Sequence, residues 1–353
     1  MSKKIIIIIV LGVVLFAAWY VFLRQDTYQV IDSPSTGSGP TMTSEWTTVT
    51  SEGTTVSSEV PEATGVPEAT GVPEPVEGRV NKNISLPDAD LGHQEDTPLF
   101  FGNPSDALAD TTLDTNFLMI KPQYTLSYNT QTLCPNWVAW HLDLDDIGEA
   151  DRSDDFRADT ELPLDWYGVK KADYQFNTYG FDRGHVCPSA DRTATKEDNS
   201  MTFLMTNMVP QTPDNNRVIW MHFESFEREL VEAGNEVYII AGPYGTGGTT
   251  PKGTFDNIPI TLKSGDVLYM NVPAYTWKVL IAIPAGDDDL DRLDEGATAI
   301  AINVPNQTGM QKTGDWEQFI CSIDDIEALT GYDFFELLSD DIEDILEARI
   351  YER

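Results

Sequence analysis

Cysteine and histidine are scarce: the 353-residue chain has three of the first and four of the second. Cys134, Cys187 and Cys321 lie far apart, which excludes a disulfide-stapled scaffold and leaves no C-x-x-C pair for zinc. At most one bridge can form, and the plainer role for all three is that of small buried hydrophobes. His93 and His141 have no ligand-spaced neighbour in sequence, so no zinc site is expected. Positive charge is short as well. Lys and Arg number 22 against 58 acids, a formal net charge of −36, which argues against a broad basic footprint for a polyanion. The acid is uneven: residues 284–353 hold 19 acids against four bases, whereas 181–230 hold eight against five.

Only one long apolar run is present, "IIIIIVLGVVLFAAWYVFL" at 5–23. Its 19 uncharged positions match the roughly 20 residues that cross a bilayer as a helix. Lys3 and Lys4 before it, with Arg24 alone after it, place the N-terminus in the cytoplasm. The run exceeds the roughly 7–15 residues of a signal-peptide core and no A-x-A site follows. Residues 1–24 are therefore expected to be a membrane anchor, with a cleaved signal peptide as the alternative. Residues 25–92 are rich in Ser, Thr, Pro and Glu, include the near-repeat "VPEATGVPEATGVPEP", and have little to bury; a disordered acidic linker is expected.

After Gly92 the texture changes. Strand-length apolar runs bounded by Pro, Gly and Asn appear at 116–120, 137–142, 236–242, 277–283 and 297–304. Residues 213–235 read as a helix with Asp214 as cap and Gly234 as stop, and Ser322 and Ser339 as caps of two shorter helices, with Gly331 ending the first. Residues 93–353 thus form one α+β domain, long enough for a continuous core.

Within it, "DRGHVCPSADRT" (182–193) puts an acid, an arginine, a histidine and a cysteine in six residues. A Cys187–His185 nucleophilic pair, a metal site and a phosphate-cleaving base all fit those letters. Two residues apart on one strand, His185 and Cys187 would point the same way. "TFLMTNMVPQ" (202–211) adds the amides Asn207 and Gln211. On a regular helix Asn216, Trp220 and Glu224 share one stripe about 80° wide, with Arg228 a turn beyond. Phosphodiester hydrolysis needs a base for water and a cation for the developing charge, and an amide oxygen suits a hard ion such as Mg²⁺.

These segments, "DRGHVCPSADRT", "TFLMTNMVPQTPDNN" and "NRVIWMHFESFERE" in that order, resemble the DNA/RNA non-specific endonucleases, the ββα-metal (His-Me finger) group that includes endonuclease G. "FFGNPSDA", "YTLSYNTQTLCPNWVAWHL", "VYIIAGPYGTGG", "VPAYTWKVLI" and "IEALTGYDFFELL" extend the likeness across about 93–353, in the manner of the secreted bacterial branch. The resemblance implies a mixed α/β sandwich with a metal between the histidine hairpin and the long helix. It implies His185 as general base, Asn216 as direct ligand of Mg²⁺ (Mn²⁺ or another divalent cation in its place), and Glu224 as holder of metal-bound water. Asn207 would orient the histidine or the metal waters, Arg183 and Arg228 would contact phosphate, and Asp182 would shape the loop. Its substrates would be DNA and RNA held by their backbone phosphates, and a homodimer is compatible with it. Val186-Cys187 departs from the commoner pattern, and Cys187 is expected to pack inward. With the anchor, the catalytic domain is expected outside the cytoplasm, or secreted if the segment is cleaved. Two other readings stand beside this one: a non-catalytic surface-binding module on a nuclease fold, and a Cys–His hydrolase using Cys187.

Overall fold

The computed structural model describes residues 96–310 and 314–353. The expected anchor and linker lie outside the described residues, as does His93. Among the described residues no helix is long and apolar enough to cross a membrane.

The centre is a seven-stranded antiparallel sheet built from β1 (Phe117–Ile120), β2 (Thr125–Asn129), β3 (Cys134–Leu142), β6 (Asn235–Tyr244), β11 (Tyr275–Pro284), β12 (Thr298–Pro305) and β13 (Ile320–Cys321), in that spatial order. The five apolar runs become strands of this sheet. They read as nearly continuous because both faces are buried and side chains alternate between them. Along β6, Val237, Ile239 and Ala241 enter one core while Tyr238 and Ile240 enter the other. Along β11, Leu280 and Ala282 face the first, and Trp277, Val279, Ile281 and Ile283 the second.

The long helix lies on the first face, packing Ile219, Trp220, Phe223 and Phe226 into that core. The second face is covered by Leu99–Phe101 and by α2 (Ile323–Thr330) and α3 (Asp340–Glu347), through Ile323, Ile326, Phe334, Phe335 and Leu346. A separate two-stranded hairpin pairs β4 (Asp182–His185) with β5 (Met208–Gln211), bringing His185 opposite Met208. Small ribbons β7 (Gly248–Thr250)–β8 (Gly253–Phe255) and β9 (Asn257–Thr261)–β10 (Val267–Asn271) complete the strands.

Three local expectations are corrected. Asp214 does not cap the long helix: its backbone is already helical and its carboxylate accepts from Gly309 N. Thr212 takes that place, its Oγ1 accepting from Asn215 N at 3.3 Å, with Pro213 following where a missing N–H costs nothing. Ser339 precedes α3 in extended conformation but makes no side-chain cap bond, whereas Ser322 forms the full reciprocal cap with Asp325. The third correction concerns the helix register. Asn215–Trp220 is a π-helical turn leading into α1 (Met221–Glu232). A π turn bonds i to i+5 and so widens one turn by a residue, which is frequent at functional sites. The stripe above Asn216 therefore continues through Met221, Glu224 and Arg228, and Trp220 turns into the core.

Candidate active site

Hairpin β4–β5, the bend after His185 and the face of the π turn and α1 enclose a cleft of about 310 Å³. Arg152, Arg183, His185, Asn216, Glu224 and Arg228 all line it, together with Arg217. Sequence order explains little of this. The cleft exists because the hairpin runs directly through Thr212 into the helix, folding 182–185 back onto 216–228.

Gly184 is what lets the hairpin close. A Cβ at that position would lie 1.8 Å from Gln211 Oε1 on the partner strand, an overlap no real side chain shows. His185 follows at the strand end, packed edge-on against Phe203 at 4.7 Å and beside Phe156 at 5.5 Å. It is only 8% exposed, and its Nε2 has no hydrogen-bond partner. Burial, then the charges of Arg152 and Arg183, hold the ring's pKa down to about 3, so the imidazole is neutral at ordinary pH. A neutral imidazole keeps one ring nitrogen without a proton, and that nitrogen is a proton acceptor.

Asp182 sets the other half. Its Oδ2 accepts from Asn216 Nδ2 at 3.0 Å, and it takes Arg217 in a two-point pair at 2.6 and 2.7 Å. Because the Asn216 amide nitrogen is committed to Asp182, the carbonyl oxygen is left as the available donor to a cation. Glu224, one side of the same stripe, is half-buried, and burial pushes its carboxyl up to about 8. A divalent ion beside it would reverse that shift. An amide oxygen, a nearby carboxylate and room for water form the hard oxygen set that Mg²⁺ takes, so these residues fit such an ion.

The cleft is basic inside an acidic molecule. Its lining holds four arginines against the single carboxylate of Glu224. Each is propped from behind. Arg183 stacks over Phe156 at 4.6 Å with a buried, unpaired Nε, and Arg152 lies over Phe203 at 4.8 Å and donates to Ser189. Arg228 donates to the fully buried Asp191 at 2.6 Å, and Asp191 also receives Trp140 Nε1. With a screening length of about 8 Å at physiological ionic strength, the acidic remainder of the surface is weakly felt here.

Two residues of the motifs lie away from the cleft: Asn207, and Cys187, which packs inward as expected. Asn207 is fully buried and does not reach the cleft. Its side chain accepts from Cys187 N and donates to the carbonyls of Cys187 and Thr202, so it clamps the bend behind His185 rather than metal-bound water. Cys187 does not share a face with His185, because the strand ends at His185 and the chain bends. The thiol is completely buried in the core, and burial pushes its pKa far up, the reverse of what a nucleophile needs. Sequence reasoning missed Arg152. It sits in the acid-rich run "DRSDDFRAD", where no local pattern marks it out.

His141, which has no ligand-spaced neighbour in sequence, meets carboxylates in the fold: Glu236 at 3.1 Å and Asp96 at 3.7 Å. Glu236 is also paired with Arg292 at 2.6 Å, and the group shares no residue with the cleft.

A basic cleft with a neutral buried histidine, set between a β-hairpin and a helix, defines a phosphodiesterase-like site. Comparison with known proteins gives it a family. The profile of the family described as "DNA/RNA non-specific endonuclease" matches residues 105–341. A protein named Nuclease from Nostoc sp. is 42% identical over 252 residues, covering 71% of this chain and 85% of its own. Nuclease C1 of Cunninghamella echinulata is 31% identical over 225 residues, covering 62% and 82%. Mitochondrial endonuclease G of Homo sapiens is 28% identical over 217 residues, covering 61% and 68%. A chain in the crystal structure of the EndoG/EndoGI complex has the same fold, with a TM-score of 0.52 at 22% identity, covering 69% of this chain and 91% of that one. The chain belongs to the DNA/RNA non-specific endonuclease family.

Proposed function

We propose that the protein hydrolyses internal phosphodiester bonds of DNA and RNA with little regard to sugar or sequence, using His185 to activate water. The observation that carries this reading is the neutral, largely buried imidazole of His185 on the wall of a cleft lined by four arginines. The neutral His185 ring takes the proton from the attacking water. Arg183, Arg152 and Arg228 hold the phosphate by its oxygens, a contact to backbone that positions the strand without reading bases. Asn216 Oδ1 directly, and Glu224 through water, would hold Mg²⁺ or a similar divalent ion. When bound, that ion supplies positive charge to the developing phosphorane and the leaving oxygen. Asp182 keeps the Asn216 amide turned the right way, and Asn207 fixes the bend that carries His185.

The N-terminal apolar run supports a membrane anchor that leaves this domain outside the cytoplasm, where its work is degradation of extracellular nucleic acid. Incubating the protein with supercoiled plasmid and with a structured RNA tests the activity. Both should be cut, the plasmid first to open circles, and EDTA should stop both. Intact substrates in millimolar Mg²⁺ would favour a binding module instead. Membrane fractionation of the full chain tests the anchor; mature protein free in the medium, with its N-terminus beyond Leu23, would show cleavage.

A further inference from the structure

The segment "KKADYQF" (170–176) meets the cleft's walls and props at two points. Lys171 Nζ lies over Phe156 at 5.3 Å, the ring that carries Arg183 and abuts His185. Phe176 lies beneath the guanidinium of Arg217, which is 5.9 Å from the ring centre and itself lines the cleft. Tyr174 and Phe181 on either side are fully buried, so the core takes its aromatic anchors from them and not from Phe176, which is 42% exposed. Between the turn Lys171–Tyr174 and the turn Phe176–Tyr179, Gln175 has φ 42°, a left-handed conformation that costs a non-glycine residue energy. Its side chain fastens that kink by donating to Pro259 O at 2.9 Å. Strain held in place beside a cleft, with an aromatic ring left outside the core, points to a ligand for the ring.

The charge beside the ring is positive, in a molecule of net −36. Lys170 and Lys171 are exposed and in no ion pair among the described residues; Lys170 Nζ lies over Tyr167 at 5.4 Å. Asp173, the acid between them and Phe176, is engaged by Tyr167 Oη and Lys170 N at 2.8 and 2.7 Å. Asp182 is likewise taken up by Arg217 and Asn216. An exposed ring with available cations around it suits single-stranded nucleic acid, whose bases stack on aromatics while its phosphates meet Lys and Arg. In a duplex each base is stacked between its neighbours and offers no free face.

We propose that Phe176 and Lys171 form a flanking subsite for a single strand of nucleic acid. An unpaired base beside the scissile phosphate stacks on Phe176, and a neighbouring phosphate meets Lys171. Arg217 joins subsite to cleft, since it lines the one and lies over the ring of the other. The inference rests on the nuclease reading of the cleft and adds to it a preference for unpaired strands and loops over duplex.

Fluorescence anisotropy tests it without cleavage, using a labelled twelve-nucleotide oligothymidylate and a labelled duplex of the same length in EDTA at low ionic strength. Phe176→Ala should weaken strand binding about tenfold, the effect of losing one base–aromatic stack, and duplex binding less than about twofold. Phe176→Trp should keep the strand affinity, whereas Phe176→Leu, apolar but without a ring face, should not. Lys171→Ala should weaken both probes and lower the slope of log affinity against log salt by about one. Failure of wild type to bind the strand, equal strand binding by wild type and Phe176→Ala, equal losses on strand and duplex, or full affinity in Phe176→Leu would each overturn the subsite. If wild type cuts plasmid while Phe176→Ala binds the strand as wild type does, the subsite alone falls. If the strand binds through Phe176 but nothing is cut in Mg²⁺, the subsite stands and the catalytic reading falls.

Discussion

Asp182→Ala probes the geometry that the structure adds to the family pattern. Asp182 does not itself line the cleft; its three hydrogen bonds go to Asn216 Nδ2 at 3.0 Å and to Arg217 at 2.6 and 2.7 Å. The Arg217 pair is about three-fifths exposed on the arginine side and contributes little to stability. The bond to Asn216 is different, because in the proposed mechanism it decides which end of the amide would face the cation. Loss of a partner that orients a metal ligand typically costs about 10–100-fold in metal affinity or activity, or about 1.4–2.7 kcal/mol. Plasmid-cleavage rates measured across a Mg²⁺ titration should show the half-saturating concentration rising by that factor. The rate at saturating Mg²⁺ should fall by much less, since Arg152, Arg183, Arg228 and His185 keep their own supports. Asp182→Asn, which keeps an acceptor oxygen, should fall between the two. A folded Asp182→Ala enzyme with unchanged Mg²⁺ dependence would refute the assignment of Asn216 as an oriented ligand.

Asn216→Ala removes that oxygen altogether, and cleavage at fixed Mg²⁺ should drop at least ~100-fold; an unchanged rate moves the cation elsewhere. A neutral base is required and the His185 pKa is held down to about 3, so at saturating Mg²⁺ the acid limb of kcat/KM should lie well below the ordinary 6.5. Arg152→Ala, by removing a positive neighbour, should move that limb upward, which a pH–rate profile measures. The same group stays unprotonated in the fold but protonates when unfolded, so stability should decline as pH falls below 6.5 towards 3. In the core, Lys278 and Glu227 form a fully buried pair at 2.9 Å, with the ammonium over Trp140 and Trp220. Lys278→Met strands the carboxylate and should cost about 3–5 kcal/mol by urea denaturation, less whatever Glu227 recovers by taking a proton. Adding Glu227→Leu should restore most of the loss.

The fold's strands were legible where burial on both faces made continuous apolar runs. β2, "TLSYN", was not, because Thr125 and Ser127 are polar letters at fully buried positions. The site was legible where family motifs are local: D-R-G-H on one strand, and Asn216, Glu224 and Arg228 on one helix. It was not legible where geometry departs from regularity. A 100° wheel put Trp220 beside Asn216, but the π turn inserts a residue and sends that ring into the core. Nor could composition show that four arginines from three separate segments converge, so a charge count of 181–230 gave a net acidic neighbourhood for a basic cleft. Asn207 looked like a site amide by position, yet its bonds all go to backbone, a distinction that only tertiary contacts make.

The central claim is that His185, and not the thiol two residues on, starts the reaction. Cleavage of supercoiled plasmid in saturating Mg²⁺ by folded His185→Ala and Cys187→Ser proteins, measured side by side with wild type, tests it most directly. His185→Ala should be slower by roughly 10²–10⁴-fold, the range for removing a general base, while Cys187→Ser keeps most of the rate. An inactive Cys187→Ser enzyme beside an active His185→Ala would contradict the account.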